Sequence, residues 1–217
     1  MDLEQARFNM IEQQIRPWNV LDGAVLAALS AVPREAFVPD EYRALAFMDL
    51  EIPLPHDQVM LAPKLEARLL QELQLKPTDR VLEIGTGSGY FTALLARFAA
   101  VVTSVEIHPD LKAQAEARLA AQGIKNIRLM VGNGAEGWPT GAPYDVIVVT
   151  ASLPMVPEAL KKQLAPGGRL LAMVGDAPVM SALRVVRVAP ETFTQVRLFE
   201  TCTRPLQHAR QPERFVF

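Results

Sequence analysis

The stretch Arg80-Val-Leu-Glu-Ile-Gly-Thr-Gly-Ser-Gly-Tyr90 decides how this chain is read. Val81, Leu82 and Ile84 make the near-continuous apolar run of a strand buried in a parallel sheet. Gly85, Gly87 and Gly89 follow, and glycine lets a backbone turn sharply and approach a ligand without a Cβ clash. From Phe91 to Ala100 the pattern is helical. Strand, glycine turn and helix N-terminus together predict a nucleoside-type pocket at the carboxyl end of a sheet.

The residues around the turn bear on which nucleoside enters. A dinucleotide fingerprint wants glycine at the sixth place of Gly-x-Gly-x-x-Gly, and Tyr90 stands there. Glu83, close before the first glycine, would repel a pyrophosphate and attract a cation. S-adenosylmethionine carries a sulfonium and an ammonium and no phosphate, so it is the expected cofactor, with S-adenosylhomocysteine as product. The next strand, Val101-Val-Thr-Ser-Val-Glu-Ile107, carries Glu106 about 20 residues past the turn, where a carboxylate can accept from both ribose hydroxyls. The expected cofactor contacts around these two loops are Glu83, Gly85, Thr86, Gly87, Ser88, Gly89, Tyr90, Glu106 and Ile107.

Strand and helix alternate around this unit. Helical spacing covers 2–16, 20–31, 63–75, Pro109 to Ala121 (ending at Gly123) and Val156 to Leu164. Strands are expected at Ile127 to Val131, Tyr144 to Thr150 and Arg169 to Val174. Two runs that alternate apolar and polar residues, Leu183 to Val188 and Thr194 to Phe199, suit antiparallel edge strands. The alternation predicts a doubly wound α/β fold with a mostly parallel sheet and antiparallel C-terminal strands. Prolines punctuate 33–63, so that part cannot form long helices or central strands. A single domain, 1–217, is expected: a helical, proline-rich segment over 1–62, either lid or structural belt, and an α/β core over 63–217.

Composition narrows the setting. Half of the 217 residues are hydrophobic, enough for one sizeable core. Lys plus Arg number 22 against 24 acids, a formal charge of −2, so no nucleic-acid partner is expected. No apolar run approaches the roughly 20 residues of a membrane span. One cysteine, Cys202, excludes an internal disulfide and fits a reducing cytosol, and the charged N-terminus is no secretion signal, so the expected location is cytoplasmic. His108 and His208 have no ligand-spaced partners and no metal site is expected. Trp18 and Trp138 are expected to pack.

Further segments carry a family resemblance. Met10-Ile-Glu-Gln-Gln-Ile-Arg16, Val32-Pro-Arg-Glu-Ala-Phe-Val-Pro39, Asp49, the loop over 81–90, Gly132-Asn-Gly134, Tyr144-Asp-Val-Ile-Val-Val-Thr-Ala151 and Leu164-Ala-Pro-Gly-Gly168 resemble the protein-L-isoaspartate O-methyltransferases over nearly the whole chain. The resemblance implies a class I methyltransferase fold and methyl transfer from S-adenosylmethionine to isoaspartyl carboxylates of damaged proteins. It implies that Asn133 and Gly134 contact the cofactor, with Asn133 reading either as an amide on the adenine edge or as a turn residue between glycines, and that His56, Gln58, Val59 and Leu61 face the substrate. There the chain departs from the family, whose His-Gly-Gln-Thr-Ile-Ser-x-Pro becomes His56-Asp-Gln-Val-Met-Leu-Ala-Pro63. Val59 replaces the threonine, Leu61 the serine, and Asp57 sets a negative charge near an anionic substrate.

An isoaspartyl carboxylate, with a pKa of about 4, is already ionised at neutral pH, so the reaction needs alignment and dryness rather than a general base. His56 reads either as a donor or base toward the acceptor, or as a side chain paired with Asp57 or a backbone carbonyl. Three functions stand open: the isoaspartyl methyltransferase, a methyltransferase of the same fold with a small-molecule or other protein acceptor, and a non-catalytic cofactor-binding protein. The sequence gives no oligomeric state.

Overall fold

The computed structural model describes residues 2–212; Met1 and residues 213–217, the two ends of the expected domain, lie outside the described residues. Its centre is a seven-stranded sheet. The strands are β3 (Arg80–Ile84), β4 (Val101–Glu106), β5 (Ile127–Val131), β6 (Tyr144–Leu153), β7 (Leu164–Asp176), β8 (Val179–Ala189) and β9 (Thr192–Thr201). They follow the order β5-β4-β3-β6-β7-β8-β9; the pairs from β5 to β7 are parallel, while β7–β8 and β8–β9 are antiparallel. The chain runs outward from β3 through β4 to β5, then returns to β3's other side at β6. That reversal opens a crevice at the carboxyl ends of β3 and β6.

The central strands β3, β4, β6 and β7 are buried on both faces over most of their length because they are apolar at successive positions, whereas the edge strands β5 and β9 are largely exposed. Val146 and Val148 join one core cluster, and Ile147 and Val149 the other. The first face carries helices α3 (Pro63–Leu73), α4 (Tyr90–Ala96) and α5 (Pro109–Ala121), together with α1 (Leu3–Met10) and α2 (Gly23–Ala31). The second carries α6 (Glu158–Lys162). Leu65, Leu69, Leu70 and Leu73 are the spaced apolar face by which α3 packs.

Several sequence boundaries shift for identifiable reasons. The helix expected over 2–16 is capped by Asp2 but keeps α-helical spacing only to Met10; it widens over 11–15 and tightens over Arg16–Trp18, where Pro17 has no N–H for the ladder. The helix expected over 20–31 starts at Gly23, with the Asp22 carboxylate capping the Ala24 and Val25 amides. The helix expected over 91–100 spans Tyr90–Ala96; the Asn126 amide, donating to the Ala96 and Ala99 carbonyls at 2.9 and 3.0 Å, satisfies its end. The tail strands are longer than their alternating patterns indicated.

Residues 32–62 hold short 3₁₀ turns and a hairpin of β1 (Ile52–Leu54) and β2 (Gln58–Met60). Met10, Ile15, Phe37 and Ile52 are each fully buried, so part of the N-terminal segment packs into the core. From this segment, β2 and Leu61 reach the crevice. Arg34, itself 1 % exposed, ties that packing together. Its guanidinium pairs with Glu66 on α3, donates to the Ala46 and Leu61 carbonyls at 2.9 and 2.6 Å, and lies 4.9 Å from the Tyr90 ring centroid.

Removing one member of a buried ion pair leaves an uncompensated charge, which costs roughly 3–5 kcal/mol. Arg34→Met is therefore expected to lower unfolding free energy by about that amount in urea titrations, and Arg34→Met with Glu66→Met to recover much of it. Equal destabilisation in the single and double variants would show that the lost carbonyl bonds, rather than the stranded carboxylate, set the cost.

Candidate active site

The crevice encloses about 820 Å³, counting space open to solvent. The loops after β3, β4 and β5, the carboxyl end of β6, the β2 strand with Leu61, and Thr203, Arg204, Leu206 and Gln207 line it. After β3 the backbone takes left-handed conformations at Gly85 (φ +97°), Gly87 (+52°) and Gly89 (+88°). A Cβ on Gly85 would collide with the Thr150 hydroxyl, which instead donates to the Ile84 and Gly85 carbonyls at 3.0 and 2.8 Å. Bare backbone therefore faces the crevice.

Glu106, 4 % exposed, closes the turn. Its Oε2 accepts from the Gly87 N–H at 2.9 Å and its Oε1 from the His108 N–H at 3.1 Å. The Thr86 and Ser104 hydroxyls meet at 2.6 Å, and the Gly85 N–H donates to the Val105 carbonyl at 2.9 Å. These bonds hold the two loops in fixed relation, with lone pairs of Glu106 left over. Further along, Gly132 and Gly134 are packing glycines: a Cβ would come within 2.8 Å of Trp138 and 2.9 Å of Ile84 respectively. Asn133 accepts from the Ala135 N–H at 2.9 Å, so its amide oxygen serves the turn while its Nδ2 donors remain.

Gly85, Thr86, Gly87, Ser88, Glu106, Ile107, Asn133, Gly134, Gln58, Val59 and Leu61 all line the crevice. Four expected site residues do not. Glu83 is fully buried beneath the loop, where Thr92 donates to it. Burial pushes its carboxyl up to about 8 over the opposing hydroxyls of Ser104 and Thr92, so it is neutral at pH 7 and cannot supply the attractive charge expected of it. Gly89 faces α5, where a Cβ would sit 3.2 Å from Ala115 and Leu119. Tyr90 turns inward between Phe37 and Arg34. His56 is exposed; its Nε2 lies 2.9 Å from both carboxylate oxygens of Asp110 and its ring stacks on His108 at 4.0 Å. That contact holds the Asp110 carboxyl below its usual range. The expected partners of His56, Asp57 and a backbone carbonyl, are not the ones it takes. Asp57 is paired with Arg204 at 3.0 Å, so its charge is answered.

Other lining residues went unassigned from sequence. Glu66 borders the crevice; burial raises its carboxyl to about 7 while the contacting Arg34 opposes the shift. Arg34 sits inside the quoted Val32–Pro39 motif, which was the signal for it. Thr150 sits at the end of an expected strand, where ligands gather. Nothing in residues 203–207 announces a site. Their segment reaches the crevice because the Ser152 N–H donates to the Arg204 carbonyl and the Leu206 N–H to the Ser152 carbonyl, both at 2.8 Å.

Comparison with known proteins agrees with this architecture. Residues 5–206 match the family model described as protein-L-isoaspartate(D-aspartate) O-methyltransferase (PCMT). A protein-L-isoaspartate O-methyltransferase of Rhodopseudomonas palustris is 47 % identical over 191 residues, 88 % of this chain and 77 % of that one. One from Gloeobacter violaceus is 39 % identical over 204 residues, covering 94 % and 100 %. Among solved structures, a Plasmodium falciparum protein described as a protein-L-isoaspartate O-methyltransferase, in complex with S-adenosyl-L-homocysteine, superposes with a TM-score of 0.80 at 21 % identity over 95 % of this chain and 99 % of that one, a likeness of fold.

Burial pushes the Glu83 carboxyl from the ordinary carboxylate range up to about 8 in the folded chain. Between those values the folded state holds a proton that the unfolded state has released, so stability falls as pH rises through the window. Glu83→Gln is expected to flatten that fall in denaturant titrations made on either side of it. A pH slope untouched by the substitution would mean that Glu83 is ionised in the folded chain.

Proposed function

The chain belongs to the protein-L-isoaspartate(D-aspartate) O-methyltransferase family and is an S-adenosylmethionine-dependent methyltransferase; from that premise we propose that its acceptor is the free carboxylate of isoaspartyl residues in damaged proteins. The methyl donor occupies the crevice beyond β3. One observation supports this most strongly: Glu106 is a carboxylate already oriented by two backbone amides, with acceptor capacity left for both ribose hydroxyls. The residues suit the group on their own geometry. Gly85 and Gly87 line the crevice beside Glu106, where the donor's amino-acid end would lie, and Asn133 keeps its amide N–H groups for a ring nitrogen of adenine. No pyrophosphate is required of the site, so the neutrality of Glu83 removes one argument from charge without harming the rest.

When bound, S-adenosylmethionine supplies a methyl group whose bond to sulfur breaks, leaving its electron pair on sulfur, as the acceptor oxygen forms the new O–C bond. No proton moves, so neither a base nor a metal is called upon. The chain's part is alignment and exclusion of water. Gln58, Val59 and Leu61 form the acceptor wall, and Arg34 fixes it by gripping the Leu61 carbonyl. The exposed free thiol of Cys202 suits work in a reducing cytoplasm.

A second acceptor class is favoured by one feature, the two apolar side chains Val59 and Leu61 where the family carries hydroxyls. It predicts that a less anionic acceptor outcompetes an isoaspartyl peptide when labelled cofactor is offered to fractionated cell extract.

Two measurements test the proposal. Glu106→Ala is expected to weaken S-adenosylmethionine binding about tenfold to hundredfold by calorimetry, since hydrogen bonds to a charged group are lost. Unchanged affinity would move the donor elsewhere. Val59→Thr with Leu61→Ser is expected to raise kcat/KM on an isoaspartyl peptide about tenfold; no gain would make the hydroxyls dispensable in this chain.

A further inference from the structure

Neither Val59 nor Leu61 has a side-chain donor, so an anionic acceptor must find its counter-charge elsewhere in the crevice. Among the described residues lining it, Arg204 is the single lysine or arginine; Glu66 and Glu106 are acids. The Arg204 backbone is tied by its carbonyl to the N–H of buried Ser152, near the end of β6. Its side chain is half exposed, and among the described residues its one side-chain partner is Asp57, whose Oδ2 accepts from Nη1 at 3.0 Å. Asp57 sits on the hairpin turn between β1 and β2, in a left-handed conformation (φ +56°) beside the crevice-lining Gln58.

We propose that Arg204 anchors the acceptor carboxylate and that Asp57 is its resting counter-ion, exchanged for the substrate in each turnover. This deepens the isoaspartyl reading and rests on it. The exchange is cheap, because an ion pair whose acid side chain is 80 % exposed is strongly screened by water. The incoming carboxylate enters between apolar walls, where the same charge pairing is less screened than at Asp57. A guanidinium presents a rigid fork of donors, so it can hold one carboxylate oxygen and leave the other turned toward the methyl group. Once the O–CH₃ bond has formed and the S–CH₃ bond has broken, the ester carries no charge. Arg204 then returns to Asp57 and the product loses its anchor.

A different role fits the same contacts. The Asp57–Arg204 pair, with the His56–Asp110 contact at 2.9 Å, fastens both sides of the hairpin turn and could serve as a clasp alone. The two roles predict opposite consequences for Asp57. If Arg204 is the anchor, Asp57 competes with the substrate; if the pair is a clasp, losing either member is equivalent.

The test measures binding of an isoaspartyl peptide to S-adenosylhomocysteine-saturated protein by calorimetry, alongside steady-state KM, for Arg204→Gln, Arg204→Lys and Asp57→Asn. Arg204→Gln should weaken peptide binding and raise KM about tenfold or more, with S-adenosylhomocysteine affinity unchanged; Arg204→Lys should recover part of the loss and Asp57→Asn should tighten binding about two- to fivefold. Equal weakening in Arg204→Gln and Asp57→Asn overturns the anchor in favour of the clasp. Unaltered peptide binding and KM in Arg204→Gln overturn the anchor alone and leave the isoaspartyl acceptor standing. A native protein that binds S-adenosylhomocysteine yet neither binds nor methylates the peptide overturns both.

Discussion

The carboxylate of Glu106 links two loops that would otherwise be independent, because it takes one amide from the turn after β3 and another from the turn after β4. Each turn is short of donors' partners where it leaves the sheet, and a single anion satisfies both. The Gly85–Val105 bond and the Thr86–Ser104 hydroxyl contact add to the same seam. The consequence is preorganisation: the lone pairs left on Glu106 point in a direction fixed before a ligand arrives. A ligand that uses them does not bear the cost of ordering the loop. The glycines matter for the same reason, since the Thr150 hydroxyl closes over Gly85 only because no Cβ stands there.

A second seam ties the acceptor wall to the cofactor loop. Arg34 reaches from the N-terminal segment to the Ala46 and Leu61 carbonyls, to Glu66 and to the face of Tyr90, the first residue of α4. Desolvating a guanidinium and a carboxylate together is expensive, and pairing returns only part of it. What the pair gains for the protein is position: β2, α3 and α4 are locked at one point. The N-terminal segment therefore packs in part into the core, with β2 and Leu61 at the crevice.

The sheet and its crevice were legible because they follow from periodicity and from glycine, both local signals. The β3 run, the alternation of strand and helix, and the antiparallel tail each declare themselves within a few residues. Side-chain direction is less local. Glu83 follows Leu82 and precedes Ile84 in a strand whose faces are both buried, so no period-two pattern could show that it points into the core. Tyr90 likewise opens α4 at a position that reads equally as pocket or core. Residues 203–207 join the site through bonds to Ser152, about 50 positions away in sequence, and no motif announces a contact of that span. The tight turn at Arg16–Trp18 follows from Pro17 and the end of α4 from the Asn126 amide, one visible in sequence and the other a tertiary contact.

Charge shows the difference most sharply. Read along the chain, Glu83 attracts the donor and Asp57 repels the acceptor. In three dimensions the first is an acid that burial keeps protonated and the second is held against Arg204, so neither charge acts as its place along the chain suggests. What remains is a crevice lined by Val59 and Leu61, which on the proposed reading face the acceptor. A carboxylate entering it sheds water without regaining equivalent hydrogen bonds from those apolar walls, at a cost of about 1–3 kcal/mol. That cost weakens binding, yet the same desolvation leaves the oxygen less stabilised relative to a transition state in which its charge is disappearing. Hydroxyl donors would have stabilised the anion they orient. In this chain the walls desolvate and orientation has to come from outside them, which makes the charge at the rim of the crevice the variable that decides whether binding or reactivity is favoured.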